Sequence, residues 1–308
     1  MRIVVTGGAG FIGANLCRVL VAGGHDVVAF DDLSTGSRSN LDGVGAELVE
    51  GTILDPAALD DVLTGAWSVV HLGARPSVPK SVADPMASHR TNATGTAEVL
   101  EAMRRVDVAH IVVASSSSVY GANPQLPKHE DLAPMPLSPY AASKLATEAY
   151  ALAWGSSYGL GVLAFRFFNV FGPLQAPGHD YAAVVPAFVD AALAGRPLPV
   201  HGDGHQSRDF TFVGSVADVL ADAAVRRVAH DRPVNLAFGS RVTVLELITE
   251  LEAVLGRPLE REHHPLRAGD VPHSQADQAS LRALFPDAEP LPLRTGLERT
   301  VAWFESRG

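Results

Sequence analysis

The sequence predicts an α/β protein in which a doubly wound parallel sheet carries a smaller C-terminal lobe. Three observations support this prediction. Short apolar runs alternate with helical patterns through the first half of the chain, the first run leads into a glycine-rich turn, and the second run ends in an acidic residue. This alternation is typical of βαβ units, whose parallel strands are buried on both faces and therefore appear as continuous apolar runs.

The predicted elements of the first half follow this rhythm in order. Strands are predicted where apolar runs are bounded by turn residues, at 2–6, 26–30, 47–50, 68–72, 111–115 and 161–166. Helices are predicted between them, at 11–22, 56–63, 92–105 and 139–157.

After about residue 167 the rhythm loosens into loops rich in Pro and Gly. A helix is predicted at 184–194, a strand at 234–238 and a helix at 244–255. We therefore divide the chain into a Rossmann domain at 1–166 and a lobe at 167–308, some segments of which return to the sheet. Because ligands of such sheets bind where the strand order switches, the lobe is expected to close over a substrate.

Charge excludes two classes of partner. The 308 residues include 24 Lys and Arg against 34 Asp and Glu, a formal net charge of −10. Nucleic acids and anionic membranes both need a basic face, so we expect neither as a partner. An anionic ligand must be met by local positive groups.

The cysteine content and the first residues of the chain indicate the cellular compartment that we expect. The single cysteine, Cys17, lies in the apolar pattern of the first predicted helix, so an internal disulfide is impossible. Neither a secretory signal pattern nor a run of 18 apolar residues occurs, and we expect a cytoplasmic protein. His201, His205, His263 and His264 lack a completing set of Cys or carboxylate ligands, so no metal site is expected.

A glycine-rich turn follows the first strand directly. Gly7, Gly10 and Gly13 form a G-x-x-G-x-x-G pattern, in which glycines let the backbone approach a pyrophosphate and helix amides receive its charge. Asp31 follows Gly13 by 18 residues, where a carboxylate accepts both hydroxyls of an adenosine ribose. Because Asp31 and Asp32 would repel a 2′-phosphate, the pattern favours NAD over NADP.

Tyr140 and Lys144 lie four residues apart, which places both on one face of a helix. A tyrosine that acts as a base near neutrality needs its pKa lowered by roughly 3 units, and Lys144 with an oxidised nicotinamide would supply this. The fifth predicted strand ends in the serines at 115–118, whose hydroxyls can relay a proton between a substrate and Tyr140.

Taken together, these motifs resemble the extended short-chain dehydrogenase/reductase family, and within it the UDP-galactose 4-epimerases. The resemblance covers the whole chain and includes the loop 71–74, Asn92 before a helix and the turn at 119–121. It implies an NAD-dependent enzyme with Ser116, Tyr140 and Lys144 as catalytic residues. The cofactor-binding residues that it implies are Gly7, Gly10, Phe11, Ile12, Gly13, Asp31, Asp32, Ser34, Thr35, Gly36, Ile53, Leu72, Gly73, Ala74, Arg75, Asn92, Ser115, Tyr140 and Lys144.

The resemblance also implies a nucleotide-sugar substrate. Asn169 is expected at the diphosphate or sugar, Arg208 and Arg267 on the diphosphate, and Asp270 on the nucleoside ribose. The substrate-binding residues that the resemblance implies are Ser116, Ser117, Ser118, Tyr140, Asn169, Val185, Val200, His201, Arg208, Arg267, Asp270 and Ser274.

Several positions depart from the family pattern. Thr52 stands where an Asp usually holds adenine, and Gly73 stands where Ala is common. Gly214 and Ser215 replace a common pair of Asp residues, and we interpret them as the N-cap of a helix. Ser274 stands where a tyrosine in some relatives narrows the room beside C2 of the sugar, so 2-N-acetyl sugars are expected besides plain hexoses.

The residues at 115–118 also bear on the reaction. Related dehydratases and decarboxylases carry acidic residues in this turn, whereas here all four are serines, which favours redox without elimination. We therefore predict an NAD-dependent 4-epimerase of a UDP-hexose, acting through a transient 4-keto sugar. The alternatives are 4-epimerisation of UDP-glucuronate or of a dTDP-sugar, a net NAD(P)-dependent reductase, and a non-enzymatic NAD-sensing module. UDP-glucuronate is disfavoured because the segment 174–176 lacks a basic residue for its carboxylate.

The resemblance finally implies a homodimer. Relatives pair through the helices that match 92–105 and 139–157.

Overall fold

The computed structural model describes residues 1–177, 183–265 and 271–307. The strands in these ranges are β1 (Arg2–Thr6), β2 (Asp26–Asp31), β3 (Glu47–Glu50), β4 (Ser68–His71), β5 (His110–Ser116), β6 (Gly161–Phe167), β7 (Asn169–Phe171), β8 (Leu198–His201), β9 (Ser207–Arg208), β10 (Phe210–Phe212), β11 (Val234–Leu236), β12 (Val242–Thr243) and β13 (Arg261–His264). The α-helices are α1 (Phe11–Ala22), α2 (Pro56–Leu63), α3 (Val78–Ala83), α4 (Pro85–His89), α5 (Gly95–Arg105), α6 (Pro139–Tyr158), α7 (Val184–Leu193), α8 (Val213–Arg226), α9 (Val244–Leu255), α10 (Ala279–Leu284) and α11 (Leu293–Glu305).

A parallel sheet forms the centre of the fold. Its strand order in the described chain is β11-β6-β5-β4-β1-β2-β3. The order reverses between β1 and β4, which both pair in parallel with their neighbours. This is the switch point at which the carboxyl ends of the strands leave a crevice for a ligand. The predicted doubly wound fold is confirmed.

Each face of the sheet is covered by helices and buries its own apolar core. On one face, α1 packs against α8, and their leucines, valines and alanines meet β1 and β6. On the other face, α2, α5 and α6 cover the opposite side chains of the same strands. Burial on both faces explains why the strand sequences are apolar throughout rather than alternating.

Most predicted boundaries agree with the structure to within one or two residues. The exception is the predicted helix at 92–105, which begins in a π-helical turn at Arg90–Thr94 and becomes α-helical only at Gly95. In that turn the Asn92 side chain bonds to the backbone of Arg75 and to Ser143, and wide turns of this kind are frequent where a helix serves a site.

The second half of the chain contributes to two cores. Phe171, Phe188, Leu198 and neighbouring apolar residues form a separate core under α7, α9 and α11. Two other segments return to the first half, since β11 pairs with β6 and α8 packs on α1. The division of the chain at 166/167 stays a prediction.

The expected N-cap at Gly214 and Ser215 is wrong. Helix α8 already begins at Val213, with Phe212 at the N-cap position and no capping side chain. The Ser215 hydroxyl, inside the helix, instead accepts a hydrogen bond from the backbone N–H of Leu291 at 3.0 Å.

Candidate active site

The glycine-rich turn is held by close backbone contacts. Gly7 has a φ of +70°, and a Cβ built there would lie 2.8 Å from the backbone nitrogen of Gly73. A Cβ on Gly13 would lie 2.1 Å from the carbonyl oxygen of Gly7. Only glycine fits either position, so the turn lies flat against the loop after β4 and the amino end of α1 faces the crevice.

A cavity of about 340 Å³ occupies this crevice. Most residues predicted for cofactor binding line it, namely Gly7, Gly10, Phe11, Ile12, Gly13, Asp31, Asp32, Ser34, Thr35, Ile53, Leu72, Gly73, Ala74, Ser115, Tyr140 and Lys144. Ser116 lines it as well. The structure therefore brings the predicted cofactor residues and all three predicted catalytic residues into one space.

Other lining residues were not predicted. They are Phe30, Gly51, Pro76, Thr91, Ala114, Phe167, Phe168, Val170 and Gln175. Most of them immediately flank a predicted strand end or a predicted site residue. The signal that indicates those at strand ends is the rule that ligands of such sheets bind at the carboxyl ends of the strands.

Asp31 is placed to bind a ribose. Its Oδ2 accepts a hydrogen bond from the Ala9 N–H at 2.9 Å, and its Oδ1 accepts one from the Leu33 N–H at 2.8 Å. With a further backbone bond from Gly10, the carboxylate still keeps acceptor capacity for a ribose hydroxyl. Burial raises the pKa of Asp31, and these amide bonds oppose the rise. The glycine cradle and this carboxylate fit NAD.

Three predicted cofactor residues do not line the cavity. A Cβ on Gly36 would lie 2.8 Å from the Ala9 backbone, so Gly36 packs against the glycine turn. Asn92 is 1% exposed, and its amide holds the N–H and the carbonyl of Arg75. The Arg75 guanidinium lies 3.7 Å from Asp84. Their direct contact with the cofactor stays a prediction, while in the structure Asn92 shapes the loop that lines the cavity.

The first turn of α6 places Tyr140 at the wall of the cavity. Ser138 caps this helix by accepting from the Ala141 N–H at 3.1 Å, and Pro139 occupies the first helical position. The Lys144 ammonium, one turn further on, donates to the carbonyl of Ala114 at 2.8 Å. This bond ties the helix to the end of β5, so that Tyr140 and Ser116 meet in the cavity.

The pKa of Tyr140 responds first to burial, which raises it above the ordinary tyrosine value, while a hydrogen bond with Ser116 lowers it. Burial also lowers the pKa of Lys144 to about 8. The lowering of the Tyr140 pKa by Lys144 together with an oxidised nicotinamide stays a prediction. Ser116 is the neighbour that opposes the effect of burial.

A buried ion pair stands behind these residues. Glu148 and Arg166 meet at 2.7 Å with side chains 5% and 3% exposed. The Ser115 hydroxyl donates to Glu148 at 2.9 Å, and the Arg166 guanidinium lies 4.7 Å from the centre of the Tyr120 ring. The pair was not predicted, because neither residue type suggests burial without the fold.

A second cavity of about 210 Å³ lies between β7, β8, α7 and the loop before β10. The predicted substrate residues Asn169, Val185, His201 and Arg208 line it. Val170 lines both cavities, so the two adjoin. Four other residues predicted for substrate binding line neither cavity, namely Ser117, Ser118, Val200 and Ser274. Val200 is fully buried, and the Ser118 hydroxyl bonds to Ser116. Arg267 and Asp270 lie outside the described residues.

Two other expectations concern metal binding and membrane insertion. Within residues 1–177, 183–265 and 271–307, no group of three or more His, Cys, Asp or Glu side chains is arranged to hold a metal ion. In the same residues, no helix has the length and apolar character needed to cross a membrane.

Comparison with known proteins identifies the family. The sequence model of the NAD dependent epimerase/dehydratase family matches residues 3–237. The UDP-glucose 4-epimerase of Mycolicibacterium smegmatis is 37% identical, over 100% of this chain and 99% of that protein. The chain therefore belongs to the NAD dependent epimerase/dehydratase family, its cofactor is NAD, and its resemblance to the 4-epimerases is confirmed.

Solved structures agree with this assignment. The UDP-N-acetylglucosamine 4-epimerase from Methanobrevibacter ruminantium M1, in complex with UDP-N-acetylmuramic acid, has a TM-score of 0.94 and 35% identity, covering 100% of this chain and 99% of that chain. The UDP-glucose 4-epimerase of Thermus thermophilus in complex with NAD has a TM-score of 0.90 and 33% identity, covering 100% of both chains. The members named here act on different sugars.

Proposed function

We propose that this protein is an NAD-dependent 4-epimerase of UDP-hexoses that accepts UDP-glucose and UDP-galactose together with their 2-N-acetyl counterparts. The observation that carries this proposal is the chemistry of the Tyr140 end of the large cavity. Among the described residues that line this cavity, Tyr140 and Lys144 are the ionisable side chains besides Asp31 and Asp32, and the other polar side chains are hydroxyls and the amide of Gln175.

Carboxylates stand at the opposite end of the same cavity. Asp31 and Asp32 follow β2, which lies three strand positions from β5 in the sheet, about 14 Å at the usual strand spacing. Elimination of water from a sugar needs an acid at the reacting carbons, and no described lining residue near Ser116 supplies one. The arrangement favours reversible oxidation at C4 over dehydration.

The residues act as follows. When bound, NAD supplies the acceptor and later the donor of the C4 hydride, together with a positive charge on its oxidised ring. The Tyr140 phenolate would take the proton of the 4-hydroxyl, directly or through Ser116, and would return it to the 4-oxygen when the hydride is given back to the other face of C4. Lys144 orients α6 through its bond to Ala114. Arg208 and Asn169, in the adjoining cavity, hold the diphosphate while the sugar turns over.

One experiment with four separate incubations tests the proposal. Purified protein without added cofactor is mixed separately with UDP-glucose, UDP-N-acetylglucosamine, UDP-glucuronate and dTDP-glucose, and the C4 epimers are resolved. We expect conversion of the first two to an equilibrium mixture without added NAD, because the cofactor is regenerated within each turnover.

The other outcomes identify the alternatives. A net reductase would convert nothing without a stoichiometric hydride donor, and a dehydratase would yield a 4-keto-6-deoxy product. Conversion of UDP-glucuronate or dTDP-glucose alone would contradict our choice of sugar or base. In the matched variant Ser274→Tyr, a rate ratio of UDP-N-acetylglucosamine to UDP-glucose equal to that of the wild type would contradict the role proposed for Ser274.

We also propose that the protein is a homodimer paired through α5 and α6. Tyr150, Trp154 and Tyr158 form an edge-to-face aromatic row along α6, and the two tyrosines are 42% and 58% exposed. An apolar row of this kind on a helix surface suits a second copy of the same helix. Light scattering should give about twice the 32.4 kDa mass of one chain, and Tyr150→Glu should give the monomer mass. A wild-type monomer would contradict the proposal.

A further inference from the structure

We propose that Asp209 is a positioning residue that fastens three segments of the substrate lobe into one binding site. The three segments are the start of β7 with Asn169, the loop 239–241, and the segment 271–277 that carries Ser274. The ligand is taken to be a nucleotide sugar, so this role rests on the proposed function.

The Asp209 carboxylate is fully buried and hydrogen-bonded on both oxygens. Its Oδ2 accepts from the Ala276 N–H at 3.1 Å, and its Oδ1 accepts from the Ser240 hydroxyl at 2.9 Å. The backbone N–H groups of Gly239 and Ser240 add further bonds. One carboxylate therefore joins two segments that are far apart in sequence.

The backbone beside Asp209 joins the third segment. The Asp209 carbonyl accepts from the Asn169 N–H at 3.2 Å, and the preceding residue is Arg208. Ser207 bonds through its N–H to the carbonyl of Pro272 and through its carbonyl to the N–H of Ser274. These are backbone bonds of the chain beside the carboxylate, so Asn169, Arg208 and Ser274 lie on segments that meet at Asp209.

Ionisation decides how many of these bonds Asp209 can accept. Burial raises its pKa to about 6, and the hydrogen bonds oppose the rise. The protonated acid would turn one oxygen into a donor, while the N–H groups of Gly239, Ser240 and Ala276 can only donate. Ionisable groups on the surrounding segments are Arg208, Arg241, His273, Lys128 and Asp277.

Protonation of Asp209 weakens the hydrogen bonds that position the site, but it has the opposite effect on the stability of the fold. Because folding raises the pKa of Asp209, this group makes the fold more stable as the pH falls from about 6 toward its unfolded value. Weaker ligand binding over that range would therefore not be a consequence of Asp209 weakening the fold. This separates positioning from a merely structural role.

The test measures the affinity of the NAD-loaded protein for UDP by calorimetry between pH 5 and pH 8. As the pH falls through about 6, we expect the wild type to lose roughly tenfold more affinity than Asp209→Asn, the effect of one hydrogen bond, since protonation of the terminal phosphate of UDP weakens binding equally in both. At pH 7.5 Asp209→Asn should bind UDP roughly tenfold more weakly than the wild type, with an unchanged or higher melting temperature. Asp222→Asn, which removes an exposed carboxylate on α8, is the matched control and should behave as wild type.

Hydrogen exchange of the amides at 271–277, measured without UDP, provides an independent readout. Weaker protection in Asp209→Asn, and in the wild type below pH 6 after correction for the slower intrinsic exchange at lower pH, supports the fastening role. Unchanged exchange, or unchanged UDP affinity in the variant, overturns it. If the wild type fails to bind UDP at any pH, the proposed substrate class is wrong, and the exchange rates alone then support or overturn the role of Asp209.

Discussion

Replacement of Tyr140 by Phe is expected to lower kcat by roughly 10²- to 10⁴-fold, the usual contribution of a positioned acid–base group. The change removes only the phenol oxygen that bonds with Ser116, and it keeps the ring and the backbone bond from the Tyr140 N–H to Ser81. The fold and the bound NAD should therefore be retained. Epimer formation and the absorbance of the retained cofactor are the two measurements.

The pH profile sharpens this test. Since the phenolate is the active form and burial raises the pKa of Tyr140, kcat in the wild type should rise with pH, and this acid limb should disappear in the variant. Tyr150→Phe, which removes a phenol oxygen from the exposed side of the same helix, is the control and should retain wild-type turnover. Turnover by Tyr140→Phe at the wild-type rate would refute the assignment of Tyr140 as the acid–base residue, whereas absence of turnover in both proteins would favour an NAD-sensing module.

Truncation of Glu148 to Ala is expected to destabilise the protein by about 3–5 kcal/mol, because it leaves the buried Arg166 guanidinium without its partner. Burial alone would lower the pKa of Arg166, but the bonds and charge of Glu148 raise it above its ordinary value. The guanidinium therefore stays charged, and its desolvation is no longer compensated. Chemical denaturation of the wild type and the variant measures the change in unfolding free energy.

Two further variants separate the effect of an unpaired buried charge from the effect of lost side-chain packing. The double change Glu148→Leu with Arg166→Met replaces the pair by apolar groups and should cost less than the single truncation. Asp222→Ala breaks the exposed pair with Arg226 and should cost no more than about 1 kcal/mol. A loss below that value for Glu148→Ala would show that water or another acceptor reaches Arg166.

The fold was largely predictable because its local signals agree with one another. The predicted limits of the first helix and of its neighbouring strand coincide with α1 and β1, since a glycine turn begins the helix and apolar periodicity continues to Ala22. The beginning of helix α8 is wrong in the sequence prediction because the helix follows β10 directly and Phe212 gives no capping signal.

The candidate site was predicted less evenly. Motifs identified the glycine turn, Asp31 and the Tyr140 pair, because each has a spacing that its chemistry requires. Phe167 and Phe168 line the cavity, yet they have the same composition as any buried strand end. The bonds of the Asn92 side chain to Arg75 and Ser143 could not be predicted, because a sequence does not show the direction in which a side chain points.

The amino-acid sequence by itself thus determined the parallel sheet, the NAD preference and the identity of the tyrosine and lysine pair, because these follow from periodicity and short spacings along the chain. Only the tertiary structure decided that Ser116 opposes the effect of burial on Tyr140, that Glu148 pairs with Arg166, and that Asp209 joins distant segments. Each of these contacts joins residues far apart in sequence, and its strength depends on burial, which exists only after the chain has folded.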